Sequence, residues 1–321
     1  MEHVTAATTL LMGWLASASA LRGATLPPLA AASQPLATAA GAILDLVDVD
    51  ANLLHDDLVG DLDNHIDVAK SVGVRHFVVP GSTLDDSRAA IKLAMDRTGV
   101  VYPTAGVHPY HSYQCSRSDL SAAIAELRTM VRENNSLVTC IGECGLDASE
   151  GFPPLEAQVP WFEAQVELAC ELRKPLFLHE RKAFQRFVNV LDRHGSASKQ
   201  GLPPCLVHCF TGGAQELSHY LSRDFYIGVT GFIKKETHGA ELRSIIGALP
   251  LDRVMIETDA PYLGFKGCRK RCKTKPKQQY PNVPSALPEV LDAVAEAMGV
   301  TRWELAAAAT QNARAFFGMN E

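Results

Sequence analysis

Six side chains with the chemistry of a hydrolytic metal centre stand at the ends of short apolar runs. They are Asp50, His108, Glu143, His179, His208 and Asp259. Charged groups at the ends of buried strands cost several kcal/mol unless they are paired or bound to a cation, roughly speaking. Imidazole mixed with carboxylate, with no thiolate-rich set beside it, is the ligand chemistry of a divalent-metal hydrolase. Cys144 and Cys209 each follow a candidate ligand by one residue, so strand alternation assigns them to the opposite face, where they would pack. Glu257 and Asp147 lie close by in sequence and are candidates for orienting ligands or for stabilising ion pairs.

These residues need elements to hold them. Short β-rich runs occur at 43–50, 74–80, 100–106, 137–142, 175–179, 205–209, 225–229 and 254–258. Between them apolar residues recur at three- and four-residue steps, as Val159, Phe162, Val166, Ala169 and Leu172 do. That period predicts helices over 84–95, 120–131, 155–172, 184–191, 242–249, 286–298 and 303–317. Strand–helix alternation implies parallel βαβ units, and eight repeats are the number for a closed (β/α)8 barrel of the α/β class. An open doubly wound sheet is the rival, but no glycine-rich phosphate loop follows any strand. In such a barrel the chemistry sits at the C-terminal ends of the strands, where the six residues fall.

In order along the chain, AGVHP at 105–109, IGECGLD at 141–147, LHER at 178–181, HCFTG at 208–212, YIGVTGFI at 226–233 and ETDAPYL at 257–263 match known motifs. From about residue 45 to 318 the chain resembles the TatD family of metal-dependent deoxyribonucleases, within the amidohydrolase superfamily. The resemblance implies a barrel that hydrolyses phosphodiester bonds, often with 3′-to-5′ exonuclease polarity, and that requires divalent metal; the expected substrate is single-stranded DNA. Carried over by motif, it implies that Glu143 anchors the metals and that His179 and His208 are ligands. It further implies that Asp259 binds metal and orients or deprotonates the attacking water, and that His108 faces the scissile phosphate.

One departure stands out: many members carry His-x-His at the end of strand 1, where this chain has Asp50-Ala51-Asn52. Asp50 can offer a carboxylate and Asn52 only a neutral amide, so the expectation is two divalent ions (Mg²⁺, Mn²⁺ or Zn²⁺), the second weakly bound. His55, beyond the strand, reads as a loop or helix-start residue. Two other readings remain open: a metallohydrolase of an ester or amide, and a non-catalytic nucleic-acid-binding relative.

Residues 266–277 hold seven cations and no anion, while the whole chain carries 30 Lys+Arg against 36 Asp+Glu for a net charge of −6. A positive block on the loop after strand 8 suits a polyanion. Arg269, Lys270 and Arg271 are therefore the expected substrate contacts, with Tyr262, Phe265 and Tyr280 as candidate stacking partners for bases. Cys268 and Cys272 within the block are candidates for metal binding or oxidation.

The chain has 321 residues, of which 47% are apolar and 21% charged, values of a globular protein. Its eight cysteines include no CxxC pair, which points away from a zinc ribbon and toward reduced thiols. Residues 1–44 carry charge only at Glu2 and Arg22 and read as a low-complexity extension or a targeting segment; the barrel domain is assigned to 45–321. No apolar run reaches the roughly 18 residues a membrane span needs. The expected location is intracellular (cytoplasm or nucleus), with secretory or organellar targeting by the extension as the alternative.

Overall fold

The computed structural model describes residues 44–113, 117–272 and 281–319. Readings that concern residues 1–43, Cys115, Tyr280 and the cations at 273–277 lie outside them. Eight strands form one parallel sheet in sequential order: β1 (Leu46–Asp48), β2 (Val74–Val79), β3 (Val101–Ala105), β4 (Cys140–Asp147), β5 (Leu176–Arg181), β6 (Cys205–Val207), β7 (Tyr226–Val229) and β8 (Val254–Ile256). Just above β8 and β1 the ring is closed by backbone bonds, Asp259 N–H to Asp50 O at 2.9 Å and Asn52 N–H to Ala260 O at 2.8 Å. All eight expected strands are present, and the fold is a (β/α)8 barrel.

Among the described residues ten α-helices accompany the strands: α1 (Asp56–Val59), α2 (Leu62–Ser71), α3 (Leu84–Asp96), α4 (Arg117–Glu133), α5 (Leu155–Leu172), α6 (Phe184–Ala197), α7 (Ala214–Leu221), α8 (Ala240–Ile245), α9 (Leu287–Met298) and α10 (Arg302–Phe317). Their starts follow from local chemistry. Thr83 caps α3 by accepting from Asp86 N–H at 3.0 Å, and Thr301 with Glu304 forms a capping box on α10. Among the described residues no helix is long and apolar enough to cross a membrane.

The core has two main parts, with a small third cluster of Val107, Ala123 and Trp161. The larger lies between strands and helices; the smaller fills the barrel, with Val47, Val49, Val78, Cys140, Phe177, Leu206 and Met255, and the end of α10 plugs it with Phe316 and Phe317. Truncating a ring as buried as Phe177 costs about 3–5 kcal/mol. One step up the strands, at the same inward-facing period of two, chemistry replaces packing: Phe177 gives way to His179, Leu206 to His208 and Met255 to Glu257. The rings of Phe177 and His208 stack at 4.8 Å, so the polar layer rests directly on the apolar one.

Candidate metal centre at the barrel mouth

The polar layer is built around one oxygen. Glu143 Oε1 lies 2.8 Å from His179 Nδ1, 2.8 Å from His208 Nε2 and 3.3 Å from His108 Nε2. Glu143 reaches this point because β4 is rich in glycine. A Cβ on Gly142 or Gly145, both at positive φ, would collide with the backbone of β5 at Phe177 or His179. Burial alone would raise the Glu143 carboxyl, but His108, His208 and His179 around it hold it well below the usual range.

Each histidine is fixed on its other side. His179 Nε2 faces Asp147 Oδ2 at 3.0 Å, and Ser149 N–H donates to Asp147 Oδ1 at 2.7 Å. Burial pushes the His179 ring down, but its bonds to Asp147 and Glu143 carry it above its ordinary value. Asp147 therefore orients His179, the pairing that fixes a ligand's tautomer. His108 Nδ1 accepts Tyr110 N–H at 3.2 Å. A nitrogen that accepts carries no proton, so a neutral His108 bears its proton on Nε2, toward Glu143 and the mouth. Burial, the largest influence on this ring, lowers its pKa and favours that neutral form.

The other half of the layer is acidic. His208 Nδ1 sits 2.9 Å from Asp50 Oδ2 without the alignment of a hydrogen bond, and 3.8 Å from Glu257 Oε1. Glu257 is fully buried, accepts from Cys209 N–H, and fits because β7 has glycine opposite: a Cβ on Gly228 would come within 2.9 Å of its carboxylate. Asp259 is half-buried at φ 54°, beside the mouth. Asn52 turns its amide nitrogen to both acids, 3.2 Å from Asp259 Oδ1 and 3.4 Å from Asp50 Oδ1. The amide thus uses its donors here, where only its oxygen was considered as a ligand. Beneath, Asp48 accepts from Thr258 N–H at 2.8 Å and Thr258 Oγ1 at 2.6 Å, clamping the residue between Glu257 and Asp259.

This donor set fits divalent cations. Three buried atoms, Asp50 Oδ2, His208 Nδ1 and Glu257 Oε2, have no hydrogen-bond partner, and leaving such atoms unmet is costly. Their residues form one of two groups whose ligand atoms lie within 4.8 Å of one another, Asp50–His208–Glu257; the other is His108–Glu143–His179. Burial pushes the carboxyl of Glu257 up to about 8, and burial with the nearby Asp50 raises Asp259. Acids forced toward their neutral form mark a place short of positive charge.

The described residues among those singled out in the sequence fall as follows. Asp50, His108, Glu143, His179, His208 and Asp259 come together at the mouth. Arg269, Lys270 and Arg271 have partners within the fold: Arg269 donates to Pro281 O at 3.2 Å, Arg271 to Ser285 O at 2.9 Å and Glu289 Oε2 at 2.8 Å, and Lys270 pairs with Glu289. Phe265 is buried in the core, and Tyr262 is half exposed. Cys144 packs in the core as expected. Cys209 does not follow strand alternation, because β6 ends at Val207 and the chain turns through a φ of 46° at Cys209. His55 caps α1, accepting Asp57 N–H at 3.1 Å.

Two buried glutamines went unread in the sequence. Gln158 bonds the backbone N–H and C=O of Asp147, and Gln165 does the same for Val107, which precedes His108. They sit seven residues apart on α5, two amides on an otherwise apolar face, and that interruption is the signal that would have found them.

Residues 47–318 match the family model described as TatD related DNase. A protein of Erwinia amylovora named 3′-5′ ssDNA/RNA exonuclease TatD is 37% identical over 277 residues, covering 85% of this chain and 100% of that one. A protein of the same name from Citrobacter rodentium is 37% identical over 278 residues, covering 85% and 98%. The crystal structure of a TatD homologue from Escherichia coli K12 superposes with a TM-score of 0.75 at 25% identity, covering 86% of this chain and 98% of that one. With its barrel, its ordered motifs and these relatives, the chain belongs to the TatD-related DNase family.

Proposed function

We propose that this protein is a divalent-metal-dependent nuclease that hydrolyses phosphodiester bonds of single-stranded nucleic acid, removing nucleotides from the 3′ end. The observation that carries the reading is the trio of unpartnered buried atoms on Asp50, His208 and Glu257 beside Glu143. The exonucleases that the chain resembles at 37% identity supply the substrate class.

Glu143, His179 and His208 would hold one cation, and Asp50 with Asp259 a second, weaker one. Imidazoles in the first set suit Mn²⁺ or Zn²⁺, while the carboxylates of the second suit Mg²⁺ or Mn²⁺. Such ions supply Lewis acidity toward the phosphoryl oxygens and lower the pKa of water. The chain's own groups do the rest. His108 offers its Nε2 proton to a phosphoryl oxygen, and Asp147 keeps the His179 ring in place. Asp259, at the open side, takes the proton from the water whose oxygen bonds to phosphorus as the bond to the leaving oxygen breaks.

The test is an assay on end-labelled single-stranded DNA and RNA across Mg²⁺, Mn²⁺, Zn²⁺ and a chelator. Stepwise release of nucleotides from the 3′ end, abolished by chelation, is expected. Cleavage of a carboxylic ester or amide panel with no release from either nucleic acid would overturn the reading.

A further inference from the structure

Two aromatic rings at the mouth are not used by the core. Phe152 lies nearly parallel to the His179 ring at 6.2 Å and 23°, and 5.9 Å from the His108 ring. Tyr110 meets Phe152 edge-on at 5.5 Å and is 52% exposed. Neither ring belongs to the apolar clusters of the described residues; Phe152 is packed against two histidines of the candidate centre, and Tyr110 against Phe152 and His111. An aromatic face left half open beside imidazoles invites another flat ring.

The nearest strand offers the complementary charge. On β5, Phe177, His179 and Arg181 alternate onto one face. Arg181 is exposed, and its side chain makes no ion pair and no hydrogen bond among the described residues. Two strand residues span about 6.6 Å, which places the Arg181 backbone on the order of one or two stacked nucleotides above His179. The basic residues on the loop after β8 differ, since Lys270 and Arg271 are engaged by Glu289.

Resting on the nuclease reading, we infer that Phe152, Tyr110 and Arg181 form a nucleotide subsite next to the metal centre. Phe152, braced by Tyr110, stacks on the base of an unpaired nucleotide adjoining the scissile phosphate, and Arg181 holds the neighbouring phosphate. Stacking of this kind is indifferent to base identity. It requires a base face freed from its partner strand, so the subsite selects single strands. The guanidinium offsets the repulsion that the acids of the mouth exert on a second phosphate.

Binding of a fluorescently labelled oligodeoxynucleotide to the full chain in Ca²⁺, read by anisotropy, tests this apart from turnover. The native protein should bind a strand with one abasic nucleotide next to its 3′-terminal residue about tenfold more weakly than the intact strand. Phe152→Leu should bring that ratio close to one, and Phe152→Tyr should restore it. Tyr110→Ala, at an exposed position, should narrow it if Phe152→Leu folds poorly. Arg181→Gln should keep the ratio but flatten the salt dependence by about 0.7. A native ratio near one, a native ratio retained in both Phe152→Leu and Tyr110→Ala, or an unchanged salt slope in Arg181→Gln would overturn the subsite. Loss of 3′ release with this pattern of binding intact would sink the nuclease reading and leave the subsite standing.

Discussion

Chelating the metal should make the stability of this protein fall as pH rises from 5 to 8. In the ion-free centre burial raises the carboxyl of Glu257 to about 8 and also raises those of Asp50 and Asp259. An acid with a raised pKa in the folded state binds more protons folded than unfolded, so its contribution is present at low pH and is lost as pH climbs to the folded value. His208, raised well above its usual value by its acid neighbours against the opposing effect of burial, has the same sign. Glu143 and Asp147 are lowered, but their window lies below about pH 4.5 and outside the range. His108, lowered by burial, opposes the trend alone among the groups of the centre. For Glu257 the gap between an ordinary 4.5 and about 8 corresponds to about 5 kcal/mol. Its neighbours share the same repulsion, so a net loss of about 3 kcal/mol is reasonable, which is about 5–10 °C in Tm for a domain of this size. Bound Mn²⁺ favours the ionised carboxylates and should flatten the curve. Differential scanning calorimetry at pH 5 to 8, with EDTA or with saturating Mn²⁺, reads both curves. Glu257→Gln should remove a large part of the slope in EDTA. A native EDTA curve that is flat or rising, or a Glu257→Gln curve parallel to it, would refute the reasoning.

Asp259→Asn should lower kcat on single-stranded DNA by about 10²-fold or more with little change in Tm, because this half-buried residue lies at the mouth; near-native turnover would remove Asp259 from the chemistry. Asp147→Asn should weaken metal affinity by about 10–100-fold, measured by competition with a metallochromic dye, because His179 loses the carboxylate 3.0 Å from Nε2. Changing Arg269, Lys270 and Arg271 together to Ser should leave Glu289 half-buried without its partners, and a drop in Tm of a few degrees is expected. A triple variant with native Tm but a raised KM and a salt slope flattened by about 2 would instead mark these cations as phosphate contacts.

The barrel was legible because the buried parallel strands are short apolar runs, most of them ended by a polar residue, and eight recur with helical spacing between them. Helices α1, α2 and α7 were not read. In α2 only Ile66 and Ala69 are fully buried, too few to mark a period, while α1 has 4 residues and α7 has 8. The inward layer of the centre followed from strand alternation wherever the strand continued, as for His179 over Phe177. Where the strand stopped, as at Cys209 and Asp259, left-handed backbone sets the direction of the side chain, and no period in the sequence encodes that. Asp48, Gln158 and Gln165 each act on another residue's backbone; the two glutamines show in the sequence only as amides interrupting the apolar face of α5, and Asp48 carries no such mark.

Charge shows the limit most clearly. A run of cations on the loop after β8 predicts the sign of the local field, and that inference needs only the topology of the barrel. It does not predict which cations are free, because that depends on residues far along the chain. Glu289, on α9, engages two of the three arginine and lysine side chains expected to touch substrate. Arg181, a single cation in the LHER motif with Glu180 before it, drew no attention as charge. Yet Glu180 turns away to accept from Tyr220 and from Ala183 N–H, and Arg181 is left facing solvent on the strand that carries His179. Electrostatic recognition at this mouth is therefore decided less by the number of basic residues than by which acids are already satisfied by something else.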